Sequence, residues 1–260
     1  MKDPLEYERR VVRFLDSIEA DCQALYLLGD IIDYWFEFKY VVPRGFTRFL
    51  GKLALMSDRG IEIHWFTGNH DIWIFDYLPR EIGCTLHTQP EAVELCGKRL
   101  FLAHGDGLGD DSRMLRLMTN FFHNRTCQRM FSWLHPDLTT GFAYWWSKKS
   151  RLDGNDFPDY LGEDKEHLVR FAKEVNAAQA PFTLNNGVEV HPPYDYFIFG
   201  HRHIMLDLML SRQSRLMILG DWITHFSYAV MTPDGRMSLD QFEYGEYEEE
   251  HRDGVSICFV

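Results

Sequence analysis

The stretch Leu27-Leu28-Gly29-Asp30-Ile31-Ile32-Asp33 constrains this chain more than any other, because an apolar strand there runs directly into two carboxylates. Ala24 to Leu28 are apolar without alternation, the pattern of a strand covered on both faces in a mostly parallel sheet. Gly29 permits a sharp turn, so Asp30 leaves the strand at its carboxyl end, where open α/β sheets place their ligands. A carboxylate at such an edge is costly to desolvate unless a cation compensates it. Three later strand ends offer co-ligands: Gly68-Asn69-His70-Asp71, His104-Gly105-Asp106-Gly107 and Gly200-His201-Arg202-His203.

Between these points the chain alternates strands and helices, the rhythm of a layered α/β fold. Asp3-Pro4-Leu5-Glu6 reads as a helix start, followed by Val11, Phe14, Leu15 and Ile18 at helical spacing. A second helix is expected from about Phe46 to Arg59 and a strand from Ile61 to Phe66. Gly97 and Lys98 read as a hairpin turn whose second strand delivers His104. A helix is expected over Glu163–Ala178 and a strand over Asp195–Phe199. The short strands that follow, from Ile204 to Phe242, read as a meander completing a second sheet. The tail over 243–253 is acidic and is expected to be mobile.

Residues 112–151 differ in character from the rest. Seven basic side chains stand there against the single acid Asp137, a formal +6 inside a chain whose net charge is -12. Eight aromatic residues accompany them, so 112–180 reads as an inserted helical lid within one domain spanning 1–260. Basic groups suit a phosphate or an anionic membrane surface, and aromatic groups suit acyl chains or the interfacial layer. The alternative is a small helical subdomain with an aromatic core and a solvated charged face. Lys148, Lys149 and Arg151 are read as contacts to substrate phosphates, with Asp111 and Arg113 beside them near the metal edge. The acidic total argues against a general nucleic-acid binder. Five cysteines without a Cys-x-x-Cys pair read as reduced thiols, and with no leader before the first helix the expected location is the cytoplasm.

Each ligand candidate is weak alone, since a single buried histidine is more often a satisfied core group. Four in this order, each ending an apolar strand, are not explained by chance. Two divalent ions roughly 3.5–4 Å apart need a bridging anion, which Asp30 can be, and nitrogen and oxygen ligands, which His104, His201, His203 and Asn69 supply. Imidazole, carboxylate and carboxamide together favour Mn, Fe or Zn over Ca.

Gly29-Asp30-x-x-Asp33, Gly68-Asn69-His70-Asp71, His104 and Gly200-His201-x-His203 resemble the motif set of the calcineurin-like metallophosphoesterases, spread over about two thirds of the chain. The resemblance implies a four-layer α/β sandwich of two mixed sheets flanked by helices. It implies that Asp30 bridges two metal ions, that Asn69, His104 and His201 complete one site, and that His203 belongs to the other. His70 falls where that superfamily keeps a histidine near the scissile phosphate, with Asp71 orienting it.

More narrowly, Gly29 to Trp35, His104-Gly105-Asp106-Gly107, the basic insertion and Leu219-Gly220-Asp221-Trp222 resemble the UDP-2,3-diacylglucosamine hydrolase branch. That resemblance implies hydrolysis of the pyrophosphate of a nucleotide-linked, acylated sugar lipid in lipid A synthesis. UMP and a diacylglucosamine 1-phosphate would be released beside the inner membrane by a peripheral enzyme. Two departures stand out. His70 occupies a position where the best-known members carry Arg, and no Asp-x-His precedes Asp30, although the superfamily opens with a strand ending in that motif. The expectation is therefore an intact second metal site and an incomplete first one, with an uncovered sheet edge and an exposed apolar face on the first helix. Two other readings stay open: a metallophosphoesterase for another substrate, and a non-catalytic scaffold with a degenerate metal site.

Overall fold

Alternate residues of strand β1 (Cys22–Leu28) face two different cores, and that division explains the architecture. In this computed structural model, residues 4–109, 121–122, 124–142, 160–178, 180–184, 186–242 and 256–260 are described. Leu25 and Leu27 pack with Phe14, Leu15 and Ile18 of α1 (Pro4–Ile18) and with Phe49, Leu53 and Met56 of α2 (Thr47–Asp58). Ala24, Tyr26 and Leu28 point the other way, into a core shared with a second sheet through Leu100, Leu102, Ile198 and Met217. A third core lies beyond that sheet. There Phe101, Phe197, Phe199 and Ile218 meet Leu168, Phe171, Ala172 and Val175 of a later helix. The result is the expected sequence of helix, sheet, sheet and helix, each layer closed by side chains of period two or 3.6.

The first sheet also contains β2 (Glu62–Phe66), β3 (Thr85–His87), β11 (Ser227–Met231), β12 (Met237–Gln241) and β13 (Ser256–Phe259), in the order β12-β11-β13-β1-β2-β3. The second contains β4 (Glu91–Leu95), β5 (Lys98–Ala103), β8 (Tyr196–Phe199), β9 (Met205–Met209) and β10 (Arg215–Leu219), in the order β4-β5-β8-β10-β9. Short strands β6 (Phe182–Thr183) and β7 (Glu189–Val190) pair separately. Three further helices among the described residues are α3 (Tyr77–Ile82), α4 (Arg125–Ser132) and α5 (His167–Ala177). Both sheets are mixed: β1, β2 and β13 run parallel, as do β5, β8 and β10, while β12 and β9 pair antiparallel to their neighbours.

Three sequence expectations are corrected here. The strands after residue 204 do not form one meander, because β9 and β10 join the second sheet whereas β11 and β12 join the first. The hairpin turns at Cys96-Gly97, both at positive φ, one residue earlier than Gly97-Lys98. Most consequentially, β1 has no open edge. β13 pairs with it in parallel, with Leu28 N donating to Val260 O at 2.7 Å and Val260 N to Tyr26 O at 2.8 Å. Phe259 is wholly buried there, a burial contributing on the order of 2–3 kcal/mol. The apolar face of α1 is likewise covered, since Phe14, Leu15 and Ile18 are buried. The tail 243–253 and most of 112–160 lie outside the described residues.

Candidate metal centre

The parallel strands β1, β2, β5 and β8 all end on the same side, so the four loops that follow them meet above the seam between the sheets. Close approach sets the sequence there. A Cβ on Gly29 would lie 2.5 Å from His104 Nδ1, and one on Gly68 would collide with the Asp30 carboxylate. Asp30 and His201 hold left-handed backbone at φ 54° and 59°, each at a cost on the order of 1 kcal/mol for a residue with a side chain.

These turns converge on His104, which is 4 % exposed. Its Nδ1 donates to Leu28 O at 2.8 Å, which leaves Nε2 directed at the other groups. Around Nε2 stand Asp30 Oδ2 at 3.1 Å, His201 Nδ1 at 3.2 Å and Asn69 Oδ1 at 3.3 Å. Among the described residues, Asp30, His104 and His201 are the one group of three metal-ligating side chains of the His, Cys, Asp and Glu types whose donor atoms all lie within 4.8 Å of one another. Burial opposes charge on His104, but the Asp30 carboxylate overrides it and lifts the imidazole to about 9. His201 moves the other way, down to about 3, through burial and then the neighbouring His104 charge. Asp30, despite its burial, is held below the ordinary carboxylate range by His104 and His70. The proton held on His104 balances the Asp30 carboxylate, and a divalent cation that displaced it would meet one carboxylate and three neutral donors, His104, His201 and Asn69.

That donor set fits a divalent ion. The Nδ1 hydrogen bond to a backbone carbonyl is how metal-ligating imidazoles are fixed in tautomer and angle, and mixed nitrogen and oxygen ligands suit Mn, Fe or Zn. Comparison with known proteins agrees: residues 5–205 match the profile of the calcineurin-like phosphoesterases. The chain belongs to the calcineurin-like phosphoesterase family. It is similar to a UDP-2,3-diacylglucosamine hydrolase of Porphyromonas gingivalis, 44% identical over 240 residues that cover 88% of this chain and 87% of the relative. Relatives of the same name from Neisseria meningitidis serogroup B and Vibrio vulnificus are 30% and 24% identical, over 86% and 88% of each chain. The calcineurin-like phosphoesterase family implies metal ions, and the histidine and aspartate cluster is present here.

The remaining expected residues of this calcineurin-like phosphoesterase fall into four groups. His70 lies at the rim, its amide donating to Asp30 Oδ1 at 2.7 Å and its Nδ1 to Asp33 O at 3.1 Å. Asp71 does not orient His70. It is fully buried and accepts from Gly68 N at 2.6 Å, from Trp65 Nε1 and Ile31 N at 3.2 Å and from Asp30 N at 3.4 Å, so it ties the Asp30 turn to the Asn69 turn. Burial and then the Asp30 charge raise it to about 6. His203 stands apart from the cluster, with Nδ1 3.5 Å from Asp221 Oδ2. Asp111, Arg113, Lys148, Lys149 and Arg151 lie outside the described residues.

Sequence reading missed the partner of His203. Asp221 also receives His225 Nδ1 at 3.1 Å and Ile223 N at 2.8 Å. Burial opposes its charge, but these bonds and His203 keep it below the usual carboxylate range. The signal was available, because Leu219-Gly220-Asp221 repeats the strand, glycine and aspartate order of Leu28-Gly29-Asp30.

Proposed function

We propose that this chain hydrolyses the pyrophosphate bond of UDP-2,3-diacylglucosamine, releasing UMP and 2,3-diacylglucosamine 1-phosphate, the reaction of lipid A biosynthesis. The observation that carries the chemistry is the convergence of Asp30, Asn69 and His201 on His104 Nε2. Asp30, Asn69, His104 and His201 would hold a divalent ion, which would supply Lewis acidity toward a phosphoryl oxygen and activate water as the nucleophile. The described donors account for one such ion, with Mn our choice among Mn, Fe and Zn. A second ion would draw on Asp30 and His203, and Asp221 anchors the latter.

The chain's own groups do the rest. Asp71 fixes the turn that presents Asp30, and Leu28 O fixes His104 in the tautomer that leaves Nε2 available. At the rim, Asp33 O accepts a hydrogen bond from His70 Nδ1, which leaves His70 Nε2 as the atom that would exchange a proton with the substrate. Lys148, Lys149, Arg151 and Arg113 are assigned to the substrate phosphates by the basic excess of the insertion, and Asp111 to a polar group of the substrate.

The acylated part of the substrate is supported by the described portion of that insertion. Met130, Trp133, Leu134, Leu138 and Phe142 are exposed apolar side chains on and after α4, with Trp133 90% exposed, and Arg125 and Arg129 accompany them. An apolar surface edged with cations suits acyl chains at an anionic bilayer, and it supports our reading of contact with the inner face of the cytoplasmic membrane. No helix among the described residues is long and apolar enough to cross a membrane.

The deciding experiment is product analysis after incubation with UDP-2,3-diacylglucosamine and Mn2+. UMP release that depends on the acyl chains is expected. Cleavage of a small phosphodiester with none of the lipid nucleotide would reassign the substrate, and failure on both would point to a scaffold.

A further inference from the structure

The loop after β8 is held from outside the metal cluster by one buried carboxylate. Arg202 lies between His201 and His203, and its guanidinium donates to Glu166 through Nε to Oε2 at 3.1 Å and through Nη2 to Oε1 at 3.0 Å. Glu166 is 1% exposed and stands at the amino end of α5, in the carboxyl-terminal part of the 112–180 insertion. The same Oε1 accepts Leu161 N at 3.1 Å. A two-pronged contact of this kind fixes the plane of the guanidinium as well as its distance, which a lysine does not do.

The first turn of α5 also touches the other metal-bearing loop. Arg170 Nη2 donates to Gly109 O at 3.2 Å, and a Cβ on Gly109 would stand 2.5 Å from His167 O. The His167 ring is 6.0 Å from that of His201. His201 itself is in left-handed backbone, a conformation that persists only when its surroundings impose it. One side is imposed by Gly200 N donating to His104 O at 3.0 Å, and the other by the Arg202 fork.

We propose that Glu166 is a positioning residue for the metal centre: through Arg202 it sets the angle at which His201 and His203 are presented, and so links the insertion segment to metal affinity. This rests on the metal reading of Asp30, His104 and His201 given above. Buried ion pairs are weak sources of stability compared with their capacity to enforce one arrangement, which is the role assigned here.

The test is Mn2+ titration by calorimetry on the full metal-free chain, with the thermal midpoint recorded alongside. Arg202→Lys keeps the charge and loses the fork, and its Mn2+ dissociation constant should rise about ten- to a hundredfold, the range for residues that orient metal ligands. Glu166→Gln is read in the same way, and decides the matter should Arg202→Lys fail to fold. The double variant should lose no more affinity than the worse single one, since both act through one contact. Lys173→Ala, on the exposed part of α5 and paired with Glu163, should bind Mn2+ as the wild type does. Mn2+ affinity within twofold of wild type in the folded variants, with only the midpoint lowered, would reduce the pair to a structural strut and overturn the inference. A wild-type chain that takes up no Mn2+ would instead remove the metal reading on which it stands.

Discussion

Two pairs of imidazoles face each other in this fold at nearly the same separation, 3.2 Å between His104 Nε2 and His201 Nδ1 and 3.0 Å between His64 Nδ1 and His87 Nε2. Their surroundings differ. The first pair shares the partly buried Asp30 carboxylate and the Asn69 carboxamide, all directed at one point. The second has a carboxylate at each outer nitrogen instead, Glu62 and Glu91, both at 3.6 Å and both exposed. Its rings are stacked, His64 on Tyr26 at 4.3 Å and His87 on Phe66 at 4.5 Å. A single proton satisfies the space between His64 and His87. Adjacent histidine nitrogens are therefore a poor sign of a metal site, and a partly buried anion aimed at the same point is the better one.

The sharpest way to break this contrast is to truncate one member of each pair. His104→Ala should lower hydrolysis by at least about a thousandfold and abolish tight Mn2+ uptake, while circular dichroism shows the fold retained. His64→Ala should leave both within about twofold, and a comparable loss there would mean the second pair belongs to the catalytic apparatus. Asp30→Asn isolates the anion, because it keeps the size and an oxygen donor. Mn2+ affinity measured by calorimetry should fall on the order of a hundredfold, which would place the difference between the two pairs on the carboxylate.

Metal addition gives a smaller, graded version of the same comparison. At a hundred times its dissociation constant, Mn2+ should stabilise the chain by about 2.7 kcal/mol, raising the thermal midpoint by roughly 5–10 °C. The increase should persist in His64→Ala and vanish in His104→Ala. The smallest expected effect is in pH. Burial and then the His87 charge hold His64 below its ordinary value. The unfolded chain therefore takes up this proton first, near pH 6.5. The stability contributed by neutral His64 is complete above that pH and is lost as the pH falls below it. In His64→Gln, thermal midpoints recorded from pH 7.5 to 5 should decline less steeply than in wild type; identical slopes would show that the pair carries no such linkage.

Asp30, Asn69, His104 and His201 were legible because each directly follows an apolar strand, and a short-range pattern of strand, glycine and polar ligand survives in a linear reading. The helix α2 and strands β1, β2 and β5 were legible for the same reason, as runs whose apolar period is local. Strand β13 was not, because four residues, Ser256–Phe259, have too short a pattern to announce a place at the centre of a sheet. The division of the last strands between two sheets was equally hidden, since it depends on which backbone edge each one meets.

What the amino-acid sequence determined by itself was the set of donor groups and the layered class of fold, both written in neighbouring residues. Tertiary structure alone decided how those groups are distributed. It turned Asp71 inward to four backbone and indole donors, gave His203 to Asp221 and joined Arg202 to Glu166. It also made one pair of histidines part of a buried charged cluster and left the other at a sheet margin. The physical reason is that desolvation, and the angle at which a carboxylate meets an imidazole, are properties of packed loops from separate strands, and neither exists until the two sheets have closed on each other.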